Sequence, residues 1–502
     1  MNNSIEKIIS IDISSNSIKT AIVSDNLKIE FTIKKDLRIY NEDIDGFAKR
    51  IDMNDLWNKI KTSIKELLKK YNNTDFNIIG ISTCAQRIAN VFLDKDGKPI
   101  YGGPNTDVRG IDSAYLIDDA FSEEELFKIT AHNPALLFCL SRLLWFREEE
   151  EENYNKIHKI LMLDDWLAYK LSGFFCTDIT SLAESQLIDI KKKDWSPEIF
   201  EEFDLDPNLF PPIVETGSII GYLKSDLLST FEIRNKEIPI IKNGADTQLS
   251  LMGMGAINKG DLGISLGTTA PLHLILDKPY IDPEMTFWTS YHSVPGKWII
   301  EAHAGNTGAL YNWFKTSFLK MLSEDSDVLI NKFLKNSEPG ALSTFAYLGP
   351  ELMNLKNQTS IKRGVFVFPP PMMISDVLPT ISDFARSIIE NIAFGIYENY
   401  KALQQFQIKK IFCAGGMSKS KVILQLIADV LGTDLTVPEY KDSSFIGAAM
   451  SVLIALEQYR DHKTIIDECI KFETIRNDPS LRDIYSQLYV EWKNIKNKID
   501  TL

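Results

Sequence analysis

Two aspartates and three small-residue turns are the parts of this sequence best equipped to do chemistry. Asp12 closes the apolar run Ile8-Ile9-Ser10-Ile11. Asp246 follows the apolar run ending at Ile241, across Asn243-Gly244-Ala245. A carboxylate at the end of a buried strand is costly unless it meets a cation or hydrogen-bond donors. Each aspartate alone reads equally as a helix cap. Together they read as a metal-associated carboxylate and a general base that takes a proton from an alcohol nucleophile. The turns are Ser14-Ser15-Asn16-Ser17, Gly267-Thr268-Thr269 and Gly415-Gly416-Met417-Ser418, each placed after a strand-like run. Such turns expose consecutive backbone N–H groups that can cradle phosphate oxygens. One alone merely turns the chain, whereas three on a repeated scaffold point to a phosphate ligand. The sequence lacks a GxxxxGK[ST] loop and a GxGxxG opening a helix, so the common mononucleotide and dinucleotide folds are not indicated.

Other polar groups are less specific. Gln86-Arg87 and Asn105-Thr106-Asp107-Val108-Arg109 place donors and acceptors after strand and hairpin signals. They suit a sugar, or equally a surface loop with ion pairs. The six histidines are scattered and form neither a metal triad nor a Ser-His-Asp set; His303 alone lies near a candidate turn. The five cysteines, Cys84, Cys139, Cys176, Cys413 and Cys469, form no CxxC pair. That spacing suits reduced thiols in a cytoplasm, with Cys139 and Cys413 as small core residues.

These groups need elements to hold them. Ile8 to Ile13 and Lys19 to Val23 read as a hairpin around the first turn, and Gly263 to Leu266 with Leu272 to Leu276 as a second hairpin around the next. The second lies about half a chain length after the first, so the pattern predicts two similar domains in tandem, 1–250 and 251–502. Apolar spacings of three and four predict helices over 54–69, 383–404 (capped by Asp383) and after Ser418, the last ended by Gly432. Asp94-Lys95-Asp96-Gly97 marks another hairpin. Trp57, Trp145 and Trp313 fall on apolar helix faces and are expected in the core. The glutamate run 148–152 reads as a solvated helix end, and the charged last forty residues as surface helices.

Composition sets the outer bounds. The 502 residues are 44% hydrophobic and 25% charged, ordinary for a soluble globular protein of two or three domains. A net charge of −14 argues against a nucleic-acid scaffold with a broad basic face. No run approaches the length of a membrane span, and no cleaved leader is indicated.

In order and spacing these blocks resemble the FGGY carbohydrate kinase family, whose members include glycerol kinase, xylulokinase, ribulokinase and autoinducer-2 kinase. The resemblance runs from about residue 8 to about 455. It is carried by Ile11 to Lys19, Ile81 to Arg87, Leu93 to Ile100 with Asp107 and Arg109, Asn243 to Asp246, and Gly267 to Thr269. It continues through Phe384 to Arg386, Glu390 to Phe394, Ala414 to Gly416, Gln425, Ala428-Asp429 and Gly447 to Ala449. The stretches Ser141 to Trp145, Asp165 to Gly173, Glu215 to Gly217 and Asp282 to Met285 are most similar to autoinducer-2 kinases and xylulokinases.

The resemblance implies an α/β fold of two actin-like (ribonuclease H-like, ASKHA) domains, with ATP and sugar in an interdomain cleft. It implies an ATP-dependent kinase acting on a small sugar, ketose or polyol-like substrate, with Mg2+, in the cytoplasm, without nucleic acid or membrane, and it allows a homodimer. Asp246 would be the catalytic base and Asp12 the carboxylate beside the metal. Ser15, Asn16 and Lys19 would form the first phosphate turn and Gly267 and Thr268 the second. Gly308, Asn312, Gly416 and Ser420 would contact the nucleotide, and Gln86, Arg87, Asp107 and Thr247 the sugar. Four departures stand out. Ser14 replaces a family glycine, at a cost of about 1 kcal/mol if the turn is left-handed there. Ile88 replaces a polyol-binding glutamate of glycerol kinase, and Leu137 or Phe138 its tyrosine, which disfavours glycerol. Phe368 to Met373 replaces a Gly-Glu-Arg loop. Ser14 and that loop motivate the alternative of a catalytically impaired sugar- or nucleotide-binding regulator; a chaperone-like ATPase of related fold would need a peptide-binding domain, and none is visible.

Overall fold

The computed structural model describes residues 5–70, 76–233, 237–320, 324–353, 363–371, 378–440 and 442–499. Contacts group the chain into two units. The first takes Met1–Ile257, Leu276–Ile299 and Asp442–Ile470; the second takes Asn258–Ile275, Ile300–Lys441 and Lys471–Leu502. The units therefore exchange segments along the sequence.

In the first unit, β1 (Ile5–Ile13), β2 (Ser17–Ser24), β3 (Ile29–Asp36), β4 (Phe76–Ala85), β5 (Ser218–Tyr222) and β6 (Pro239–Lys242) form one sheet in the order β5-β6-β4-β1-β2-β3. β1 pairs antiparallel with β2 and parallel with β4, and β6 pairs parallel with β4. Ile8, Ile9, Ile11 and Ile13 are all fully buried, so β1 is covered on both faces, as an apolar run without alternation requires. α1 (Met53–Lys70) buries Leu56, Ile60, Ile64 and Leu67, one stripe at helical spacing. α2 (Cys139–Glu149), α3 (Leu163–Ser172) and α4 (Asp246–Gly253) complete its first segment. The predicted hairpin over 91–101 is present as Asn90–Leu93 against Pro99–Gly103, turning at Gly97 with φ +73°.

The second unit repeats the plan. β7 (Asp261–Ser265), β8 (Pro271–Leu276), β9 (Trp298–His303), β10 (Lys410–Ala414), β11 (Leu435–Pro438) and β12 (Phe472–Ile475) follow the order β9-β8-β7-β10-β11-β12. β7 is antiparallel to β8 and parallel to β10, and β10 is parallel to β11. In both sheets a hairpin leads into three parallel strands, which is the tandem similarity read from the sequence. α5 (Thr307–Phe314), α6 (Ile381–Leu403) and α7 (Lys421–Leu431) belong here. The chain then returns to the first unit as α8 (Ser443–Ala455) and closes the second with α9 (Arg482–Ile499).

Several expectations need correction. The N-cap of α6 is Thr380, with Asp383 completing a capping box by accepting from the Thr380 amide at 2.8 Å. Trp57 and Trp145 are half-buried, and Trp313 is 42% exposed because Leu310, Tyr311 and Phe314 form the buried stripe of α5. The charged tail is not all surface: α9 buries Tyr485, Tyr489 and Trp492. Cys139 and Cys413 lie in the core as expected, and all five cysteines are free thiols.

α8 packs where side chains would not fit. A Cβ on Gly253 of α4 would stand 1.9 Å from the Ser443 carbonyl oxygen, and one on Gly447 of α8 would stand 2.0 Å from that of Leu249. Two glycines thus let α4 and α8 cross backbone to backbone. Gly80 of β4 makes similar room for Val452.

Candidate active site

Parallel strands end together, so their last residues share an edge. Asp12 of β1 lies in register with Cys84 of β4, and Ala85 bridges Ala245, the residue before Asp246. Both aspartates therefore stand at the carboxyl edge of the first sheet. Asp246 does not cap α4: the N-cap is Ala245, without a side-chain bond, and Asp246 is the first helical residue. Its partly buried carboxyl is pushed up to about 7, first by burial and then by the charge of Asp12, with Arg87 opposing. Thr247, expected against the sugar, donates from Oγ1 to Asp246 Oδ1 at 3.2 Å.

Asp12 is 5% exposed. Its Oδ2 accepts from Ser444 Oγ at 2.9 Å, while Oδ1 is buried without a hydrogen-bond partner. Burial raises this carboxyl, against the pull of Lys19. Lys19, cross-strand from Asp12, donates to Asp442 at 2.7 Å. Burial alone would lower the ammonium's pKa, but Asp442 outweighs it and holds it above its ordinary value. Ser14 stays outside the left-handed region, so the serine carries no backbone strain. Its amide and hydroxyl both donate to Ser17 O, at 2.9 and 3.0 Å. Asn105 Nδ2 donates to Ser15 Oγ at 2.9 Å, and the Asn105 amide to Gln86 Oε1 at 3.2 Å, so Gln86 and Ser15 tie the turn to the 105 loop. Asn16 is exposed at the tip.

Asp107, expected beside the sugar, is engaged by the protein itself. It is fully buried, and its oxygens already accept from the Lys49 amide at 2.8 Å, Arg109 Nε at 2.8 Å and the Tyr101 hydroxyl. A carboxylate so engaged holds Arg109 and its loop. Arg87 is nearer Asp246, which feels its charge. Its Nη1 lies 3.4 Å from Glu184 Oε1, and its guanidinium lies 5.9 Å from the Trp288 ring centre.

Beneath Asp246 lies a network that sequence reading missed. The Lys242 ammonium pairs with Asp165 and Asp178, each at 3.0 Å, and with Asp164. The three carboxylates are close enough to ligate one ion, but the ammonium already pairs with all three, hydrogen-bonding Asp164 and Asp178. Burial pushes Asp165 up to about 8 against Lys242, while Lys242 and the Thr216 and Thr180 hydroxyls outweigh burial and lower Asp178. Asp178 accepts from Thr180 Oγ1 at 2.7 Å, and Thr180 Oγ1 accepts from the Ala245 amide at 3.3 Å. A Cβ on Gly244 would sit 1.8 Å from that Thr180 oxygen. The network fixes the backbone that delivers Asp246. Its signal in the sequence is a lysine ending an otherwise apolar strand, Ile240-Ile241-Lys242. Asp442 and Ser444 gave no such signal, because their partners lie at the opposite end of the chain.

The second unit carries its own set. Gly267 and Thr268 are exposed at the β7–β8 turn. Gly308 lets α5 start against it: a Cβ there would stand 1.9 Å from Gly267 O. Gly415 adopts φ +113° and packs on Leu266, which only glycine allows, whereas Gly416 is exposed with no close neighbour. Asn312 is exposed on α5. Ser420 is committed to structure: it caps α7 by accepting from the Ile423 amide at 3.2 Å and donates to Asn331 at 2.5 Å. His303 accepts from the Gly305 amide at 3.0 Å. Of the atypical loop, Met372 and Met373 lie outside the described residues, and Phe368 packs edge-on to Phe384.

Comparison with known proteins agrees with this fold. Residues 7–253 match the N-terminal domain of the FGGY family of carbohydrate kinases, and residues 262–456 match its C-terminal domain. A putative sugar kinase, YoaC, of Bacillus subtilis is 28% identical over 489 residues, covering 96% of this chain and 95% of its own. An autoinducer-2 kinase of Escherichia coli is 23% identical, covering 90% and 87%. The crystal structure of a gluconate kinase from Lactobacillus acidophilus superposes with a TM-score of 0.87 at 20% identity, covering 99% and 98%. Two domains with the same strand plan, a base-like aspartate at a sheet edge and matches to both family domains lead to one conclusion: the chain belongs to the FGGY family of carbohydrate kinases and is an ATP-dependent sugar kinase.

Proposed function

We propose that this kinase transfers the γ-phosphoryl group of ATP to a hydroxyl of a small sugar, ketose or polyol-like acceptor, of the kind autoinducer-2 kinases and xylulokinases take, with Asp246 as the base. The observation that carries the reading is Asp246 itself: partly buried, free of any capping role, and held to about 7 beside Asp12 and Arg87. A base poised near neutrality can accept the hydroxyl proton as the oxygen attacks phosphorus. Arg87 holds the acceptor, and Thr247 orients the Asp246 carboxyl. The exposed turns at Ser15-Asn16, Gly267-Thr268 and Gly416 bind phosphate through backbone amides, with Gly308 and Asn312 toward the nucleotide. Lys19, fixed by Asp442, supplies positive charge.

A divalent cation such as Mg2+ fits beside Asp12, whose buried Oδ1 lacks a donor while Oδ2 is already bound. When bound, the cation would neutralise charge on the transferring phosphate. The five reduced thiols support a cytoplasmic location. The unstrained Ser14 turn removes one motive for an impaired binding protein. The test is ADP release over a sugar panel with Asp246→Asn alongside. We expect turnover on at least one neutral sugar and a loss of more than about a thousandfold in the variant. Activity surviving the substitution removes Asp246 as the base.

A further inference from the structure

The Arg87 side chain rests on a cluster that the phosphoryl-transfer chemistry does not use. Glu184, in the short turn Ala183–Ser185, is fully buried, and its Oε1 faces Arg87 Nη1 at 3.4 Å and Gln248 Nε2 at 3.4 Å. Its Oε2 has no hydrogen-bond donor, and His132 Nε2, also without a partner, stands 4.0 Å away. The ring of His132 packs against Trp288 at 5.2 Å and Phe138 at 5.4 Å. Gln186 and Gln248 each give up their amide N–H group, to His132 O and to Glu184, and keep a buried oxygen without a donor. All four side chains are fully buried. Buried polar groups in native proteins are nearly always satisfied, so an unpaired set in one place requires an explanation.

The explanation we favour is electrostatic. An arginine at a sugar site would normally attract a carboxylate, because its fork matches that group. Here its charge is matched from below by a carboxylate that cannot reach water, and the surrounding acceptor oxygens add negative potential. Asp246, whose carboxyl feels the Arg87 charge, adds negative charge when ionised, and an anionic acceptor is disfavoured beside this set. Resting on the kinase reading above, we propose that Glu184 is a specificity-determining residue: by cancelling Arg87 it commits the site to uncharged polyhydroxylated acceptors, ketoses and polyols, and excludes aldonic acids. Glu184 acts through Arg87 and touches no reacting atom, so it is a positioning residue.

The test compares neutral ketoses with aldonates of the same carbon number, read as kcat and KM from ADP release, in wild type, Glu184→Gln and Glu184→Asp. Wild type should favour the best neutral sugar over its aldonate by more than about a hundredfold in kcat/KM. Glu184→Gln should lower that ratio at least about tenfold, mainly by lowering the aldonate KM, and Glu184→Asp, which keeps the charge, should largely retain it. Should Glu184→Gln not fold, the wild-type ratio and the failure of aldonates to compete with the neutral sugar carry the test. Aldonate turnover on a par with ketose in wild type overturns the inference while leaving the kinase reading intact. An equal shift for both substrate classes in Glu184→Gln also overturns it. No turnover on either class, with ATP still bound, sinks the kinase reading and this inference together.

Discussion

Asp246 is useful to a phosphotransferase for the same reason that it burdens the fold. Its carboxyl stands at about 7 when folded against 3.8 as an unperturbed side chain. The folded state binds the proton more tightly, so ionising the group weakens folding progressively as pH rises from about 4 to about 7. Asp246→Asn removes that cost. We expect this variant to melt a few degrees above wild type at pH 8, with the gap closing toward pH 4, as differential scanning calorimetry would read. At this scale the sequence revealed carboxylates whose burial was itself anomalous, Asp12 and Asp246. It did not reveal Glu184 or His132, whose meaning comes from partners brought together by the fold. Asp107 and Ser420 match the family's pattern by position, but the structure engages both in holding the backbone.

Glycines at crossings are where whole elements meet the site. Gly447→Ala would drive a methyl group to 2.0 Å from Leu249 O, forcing α8 off α4. We expect a loss of about 1–3 kcal/mol in urea unfolding, together with weakened activity, because α8 begins beside Asp442 and Ser444, the partners of Lys19 and Asp12. Gly308→Ala attacks the second turn in the same way, at 1.9 Å from Gly267 O. Its expected effect is a KM for ATP raised about tenfold with the sugar KM little changed, since a shift of that turn by under an ångström suffices. Elements with strong local signals were legible: the hairpins, α1, and α7 with its Gly432 stop. Trp313 misled because apolar residues surround it in sequence, while the buried apolar stripe runs through Leu310, Tyr311 and Phe314. The buried face of α9 was hidden by the charges around it, Arg482, Asp483, Glu491, Lys493 and Lys496.

The whole molecule repeats one plan, a hairpin feeding three parallel strands, and the repeat was visible as two turns half a chain apart. The exchange of segments was not, because no local pattern announces that residues 442–470 pack with the first unit. A fragment ending at residue 257 lacks α8 and the 276–299 segment. We expect it to stay molten or aggregate, with exposed apolar surface and little cooperative unfolding, whereas the full chain unfolds with a sharp transition; dye binding and calorimetry would distinguish them. On the proposed reading, the net charge of −14 is no obstacle to ATP, since backbone amides and one fixed lysine handle the phosphates locally.

The late position of α8 bears on how the enzyme is made. Lys19 is made 423 residues before Asp442, and Asp12 432 residues before Ser444, the residues that bond them. Until residues 442–444 are made, the hairpin around Ser14-Ser15-Asn16-Ser17 therefore lacks these two bonds. On the proposed reading of that turn, a chain that stops before residue 442 lacks a finished site for ATP and is expected not to hydrolyse it.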